Sequence, residues 1–137
     1  MNFKKLQAMQ AKLDEAILAD KALMTDEERF NKTLISLSVE IAEVANCAEH
    51  FKFWKDNKGK IDRKRFVIYD NSSESSSKIG YLMDKKNHLK QVKKDEAHKL
   101  TLIEECSDAL HFILSLANQI DYEIDTKLIK IVKYPRN

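Results

Sequence analysis

Two short acidic spacings dominate the chemistry this sequence could perform. Glu40-Ile-Ala-Glu43 and Glu105-Cys-Ser-Asp108 each set two carboxylates three residues apart, the separation that puts both on one face of an α-helix. Each pair borders an apolar seam. The first seam is Phe30, Leu34, Leu37, Ile41, Val44, Ala48, Phe51, and the second is Ile103, Cys106, Leu110, Ile113, Ala117, Ile120. Both advance in alternating steps of four and three, the signature of an amphipathic helix. At roughly 100° per residue, Glu40 lies about 60° from Leu37 and so sits at the edge of the buried face. If the seams pack together, four carboxylates converge. Such a cluster is costly at low dielectric unless a cation lies within it. Oxygen ligands without Cys or His favour Mg²⁺ or Mn²⁺ over Zn²⁺. A hard cation with open water positions suits the hydrolysis of a polyphosphate. One such pair alone is common on solvated helices; two pairs, each beside a seam, are what single these residues out.

The elements that must position them are helical. Gly occurs twice and Pro once in 137 residues, too little turn chemistry for an all-β fold. A first helix is expected from Phe3 to about Met24, with Leu6, Met9, Leu13 and Ile17 near helical spacing. Thr25-Asp-Glu-Glu28 reads as a capping box opening a second helix that runs to about Trp54. From 55 to 80 the periodicity fails and Ser72-Ser73-Glu74-Ser75-Ser76-Ser77 intervenes, which predicts a long mobile surface loop in which Phe66 to Tyr69 is extended or anchored. A third long helix is expected from Asp95 to about Gln119, and a short one within 121–133. The whole of 1–137 then reads as one all-α domain, a helical bundle with two long packed helices completed by dimerisation.

Composition excludes several functions. The chain carries 24 Lys+Arg against 22 Asp+Glu, a net charge of +2, without the positive excess that nucleic-acid binding needs. Cys47 and Cys106 are too few for a disulfide framework and read as buried small hydrophobes. The longest apolar patch, Leu110 to Ala117, is too short to span a membrane. A cytoplasmic protein without nucleic-acid or membrane partners is expected.

Extended around the acidic pairs, the sequence resembles the dimeric, all-α dUTPases. Glu40-Ile-Ala-Glu43-Val-Ala-Asn46 followed by Phe51-Lys52-Phe53-Trp54 is similar to the first motif of that family. Leu102-Ile-Glu-Glu105-Cys-Ser-Asp108-Ala-Leu-His111 running on to Asn118 is similar to the second, and Gln10-x-x-Leu13-Asp14 is a weaker third match. The wider all-α, MazG-like nucleoside triphosphate pyrophosphohydrolases share the acidic pairs. The resemblance implies Mg²⁺-dependent hydrolysis of dUTP to dUMP and pyrophosphate by a homodimer. It makes Glu40, Glu43, Glu105 and Asp108 the metal ligands, with Glu43 activating the attacking water. It turns Gln10, Asn46, Lys52, Trp54, His111 and Asn118 toward the substrate. Where the family carries a C-terminal Lys, Asn and Arg set for the phosphates, this sequence has only Lys130, Lys133 and Arg136, which leaves that task to the basic run Arg63-Lys64-Arg65 or a second subunit. Two other readings compete: a MazG-like enzyme acting on another nucleoside triphosphate, and a non-catalytic helical interaction module indifferent to Mg²⁺.

Overall fold

The computed structural model describes residues 2–69, 81–85 and 91–125. The protein is mostly helical. Helix α1 spans Phe3–Leu18, α2 Asp26–Ala48 and α3 Lys94–Gln119; strands β1 (Phe66–Tyr69), β2 (Tyr81–Asp84) and β3 (Gln91–Lys93) lie between α2 and α3 in the chain. Two long packed helices therefore carry the acidic pairs, as the periodicity predicts. Among the described residues no helix is long and apolar enough to cross a membrane.

Helix starts follow local chemistry. The Asn2 side chain accepts the Lys5 amide at 3.1 Å to open α1. The Thr25 hydroxyl accepts the Glu28 amide at 3.1 Å to open α2, with Asp26, Glu27 and Glu28 in its first turn facing the positive end of the helix dipole. Helix α1 is shorter than its apolar spacing suggests. Helix α2 stops at Ala48 rather than Trp54, because Glu49 turns into the left-handed region at φ 61°.

The chain gathers into two compact units, one of residues 1–38 and 110–137, the other of residues 39–109. The first unit holds α1, the start of α2 and the end of α3. Its interior is markedly polar. Gln7 is buried, and its amide donates to Asn118 Oδ1 (3.1 Å) and to the Tyr122 carbonyl (2.8 Å), while Asn118 Nδ2 donates back to the Gln7 carbonyl (2.9 Å). Residues 121–125 follow α3 as non-helical chain, pinned where the Ile124 amide donates to Gln7 Oε1 (3.0 Å). The expected final helix otherwise lies outside the described residues.

The second unit contains the main departure from expectation. Part of the supposed 55–80 loop is ordered structure. Phe66–Tyr69 pairs antiparallel with Tyr81–Asp84, which pairs with Gln91–Lys93, in the order β1-β2-β3. Phe66, Val92 and Ala97 form a buried cluster with Ile61 and Leu100 packed against it. The chain ahead of β1 is also docked, since the Asp62 amide donates to the buried Thr101 hydroxyl at 3.0 Å. Arg65, the last of the basic run to which the sequence leaves the phosphates, is half-buried and paired with Asp84 (3.3 Å) and Glu104 (3.4 Å). The serine run lies outside the described residues.

This docking changes which face of α3 is covered. Ala97, Thr101 and Ala109 are buried, whereas Ile103 is 54% exposed and Cys106 is exposed as well. Ile103 is about 200° around the helix from Thr101. The sheet and the 61–66 segment thus take the small-residue side of α3, and the start of its apolar seam stays open. Cys47 is buried as expected; Cys106 is not. Phe66→Ala removes the largest apolar group of the sheet cluster, and we expect a loss of about 3–5 kcal/mol in urea unfolding followed by circular dichroism. A loss under 1 kcal/mol would mean the cluster does not hold the second unit together.

Candidate active site

Glu40 and Glu43 project from α2 one turn apart, and Glu105 projects from α3. Carboxylate oxygens of all three lie within 4.8 Å of one another. Glu40 and Glu105 are half-buried, while Glu43 is exposed. One oxygen, Glu40 Oε2, is sealed from solvent and has no hydrogen-bond partner. An unsatisfied buried carboxylate oxygen costs several kcal/mol. Repulsion between full charges about 5 Å apart is on the order of 3 kcal/mol at an effective dielectric near 20, and less toward exposed Glu43. Burial pushes the Glu40 carboxyl above the usual carboxylate range, reinforced by the charge of Glu43, a hydrogen bond with it, and the charges of Asp108 and Glu105. Burial likewise raises Glu105, with the charges of Glu43 and Asp108 adding to it.

The donor set fits a divalent cation. It is all oxygen, it comes from two helices, and it leaves the sealed oxygen without any other partner, which suits Mg²⁺ or Mn²⁺. Of the four expected ligands, three share the cluster. Asp108 lies on α3 one turn beyond Glu105 and adds its charge to both raised carboxyls, but it stands outside the close triple.

Beside the triple is a cavity of about 270 Å³ lined by Glu43, Asn46, Cys47, Lys60, Asp62 and Glu105, among others. Asn46 is among the residues of this lining. Lys52 does not reach toward the cavity. With Lys55 it is bound to Glu49, each ammonium 2.8 Å from a carboxylate oxygen. Glu49 also accepts the Gly59 amide at 3.0 Å and is fully buried. Those lysine donors, opposed by burial and helped by the amide, hold its carboxyl down to about 2. Trp54 is 65% exposed and packs edge-on to Phe53 with ring centroids 5.1 Å apart, forming an open aromatic surface.

The first unit has its own cavity, of about 300 Å³, lined by Gln10, Leu13, Asp14, Met24, Arg29, His111 and Phe112, among others. Here the hydrogen bonds form a chain. Arg29 pairs with Asp14 at 3.3 Å, Asp14 accepts the Gln10 amide at 2.8 Å, and Gln10 Oε1 is 2.6 Å from His111 Nδ1. A carboxylate can only accept, so the Gln10 NH₂ faces Asp14 and its oxygen faces His111. Nδ1 must then carry the hydrogen, and a neutral His111 presents Nε2 as an acceptor. Asn118 is outside this lining, its amide engaged with Gln7.

Glu49, Lys60, Asp62 and Thr101 escaped the sequence reading. The spacing Glu49-x-x-Lys52-x-x-Lys55 could have exposed the first. Lys60 and Asp62 had no local signal, being placed by contacts distant in sequence.

Fold and site together define an all-α protein whose two long helices carry converging acidic motifs. Residues 2–68, just under half of the chain, match the model of a protein family described as dUTPase, in line with the resemblance read from the motifs. The match contains Glu40 and Glu43; Glu105 and Asp108 lie beyond it. No curated protein and no solved structure matches the chain.

The raised and lowered carboxyls set the pH response. Glu40 and Glu105 hold protons more tightly folded than unfolded, so without metal they erode stability as pH rises above the ordinary value of 4.5. Glu49 acts oppositely, its contribution being lost as pH falls from 4.5 toward about 2. In EDTA, Tm should therefore peak at mildly acidic pH, and Mg²⁺ should raise Tm more at pH 7.5 than at pH 5. Equal Mg²⁺ shifts at both pH values would show that the cation is not neutralising these carboxyls.

Proposed function

We propose that the protein hydrolyses dUTP to dUMP and pyrophosphate, using Mg²⁺ or Mn²⁺ held by Glu40, Glu43 and Glu105 with Asp108 beside them. The observation that carries this reading is the sealed, partnerless Glu40 oxygen within a three-carboxylate cluster, on a chain matching the dUTPase family. When bound, the cation offsets the charge of the triphosphate and polarises its phosphoryl oxygens. Glu43, the exposed member of the triple, accepts a proton from water at its carboxylate as the water oxygen bonds the α-phosphorus in this reading. The α–β bridging bond then breaks, and its electron pair leaves with pyrophosphate.

The choice of uracil draws on His111. An Nε2 fixed as acceptor pairs with the N3–H of uracil and opposes cytosine, whose N3 is itself an acceptor. The Asp14–Gln10 chain is what fixes that polarity. The homodimer is supported by apolar surface left open, including Met9 (57% exposed), Leu13 (44%) and Ile17 (51%) at successive helical turns of α1.

Pyrophosphate release across the common nucleoside triphosphates tests the reaction. We expect Mg²⁺-dependent turnover with dUTP the best substrate, and Glu43→Gln should lower kcat by at least about 100-fold with the helical signal unchanged. ATP or GTP as best substrate would remove the dUTP assignment. Gln10→Leu, which frees the His111 tautomer, should narrow the preference for dUTP over dCTP by about tenfold. An unchanged ratio would remove His111 from base selection.

A further inference from the structure

Resting on the reading of this site as a nucleotide hydrolase, we propose that Lys60 is the cation that holds the substrate's phosphate chain beside the carboxylates. The evidence is how the backbone of 59–62 is fixed. The Gly59 amide donates to buried Glu49 (3.0 Å), the Lys60 amide to the Cys47 carbonyl (2.9 Å), and the Asp62 amide to the Thr101 hydroxyl (3.0 Å). The Lys60 carbonyl accepts from His98 Nδ1 (2.6 Å). Four ties at Gly59, Lys60 and Asp62, to α2, its C-terminal turn and α3, fix the backbone on both sides of the Lys60 side chain. Gly59 makes this path possible, for its φ is 103° and a Cβ there would stand 2.7 Å from His98 Nε2.

The side chain so placed lines the 270 Å³ cavity that it shares with Glu43 and Glu105. Lys60 is the one Lys or Arg in that lining, and no salt bridge of Lys60 is found among the described residues. The neighbouring cations are occupied: Lys52 and Lys55 by Glu49, Arg65 by Asp84 and Glu104. The cavity is at the lower edge of small-molecule sites, with room for phosphate groups rather than a whole nucleotide. An anion beside three carboxylates needs more positive charge than a divalent ion alone supplies, and an ammonium on a fixed backbone provides it at little ordering cost.

Calorimetric titration of inorganic pyrophosphate into the Mg²⁺-loaded protein tests this apart from turnover. The parent should bind, Lys60→Gln should bind at least about tenfold more weakly, and Lys60→Arg should retain most of the affinity. The Mg²⁺-induced rise in Tm should persist in Lys60→Gln, and with dUTP its KM should rise more than its kcat falls. Pyrophosphate bound equally by parent and Lys60→Gln overturns the Lys60 role while leaving the enzyme reading intact. A parent that binds no pyrophosphate and releases none from any nucleotide overturns both. Loss of the Mg²⁺ response in Lys60→Gln would make the lysine a support of the metal site and also overturn the proposal.

Discussion

An acidic contact between two helices is the constraint around which the rest of this protein is arranged. Helix interfaces gain stability by burying apolar surface, yet where α2 meets α3 three carboxylate groups come within 4.8 Å, one oxygen lacking any donor. Burial and mutual charge both push protons onto the cluster, so the metal-free fold opposes itself there. The chain tolerates this because binding elsewhere holds the helices: the Gln7–Asn118 amide exchange in one unit, the Phe66–Val92–Ala97 cluster in the other. A site kept electrostatically unsatisfied in this way is one whose affinity for a cation includes the relief of its own repulsion.

The end of α2 shows how one residue organises the approach to that site. Glu49 takes a left-handed backbone that costs a non-glycine residue about 1–2 kcal/mol. In that conformation its carboxylate turns inward and gathers Lys52, Lys55 and the Gly59 amide. The turn that exposes Phe51, Phe53 and Trp54 and the strand-like run at Lys60 are both consequences of that one anchor. A helix continued to Trp54 would have directed the lysines to solvent and left residues 59–62 without a path back to Thr101.

The helices and acidic pairs were legible in the sequence because both obey the helical period, a local signal. Gln10 and His111 were named singly through motif resemblance, but their hydrogen bond to one another, across 101 residues, had no sequence signal. The sheet was not legible, since β1 is four residues long and pairs with chain 12 to 18 residues away, Phe66 opposite Asp84 and Tyr69 opposite Tyr81. Short strands carry little alternation, and their pairing is a tertiary fact. The seam of α3 misled for a related reason. Its apolar residues kept a regular four-three spacing, but Ile103 and Cys106 stay open while Ala97 and Thr101 are buried. Small residues permit close approach by the 61–66 segment, and periodicity of large apolar groups does not report that. Exposed seam surface is then what a second subunit would be expected to cover.

Charge placement carries the same logic one step further. A chain with 24 basic residues could have neutralised its acidic cluster internally. Instead three of the cations nearby are directed elsewhere, and only Lys60 of the described cavity lining is left facing it. Lys52 and Lys55 are spent on Glu49, and Arg65 reaches Asp84 and Glu104, the residue adjacent to Glu105 rather than Glu105 itself. Among the described residues no salt bridge joins Glu40, Glu43 or Glu105. Had Lys52 swung to the triple, its ammonium would have relieved the repulsion and lowered both raised carboxyls, leaving little for a divalent ion to gain. Burying Glu49 beneath two lysines thus does more than close a turn. It holds two monovalent cations, Lys52 and Lys55, away from the carboxylates.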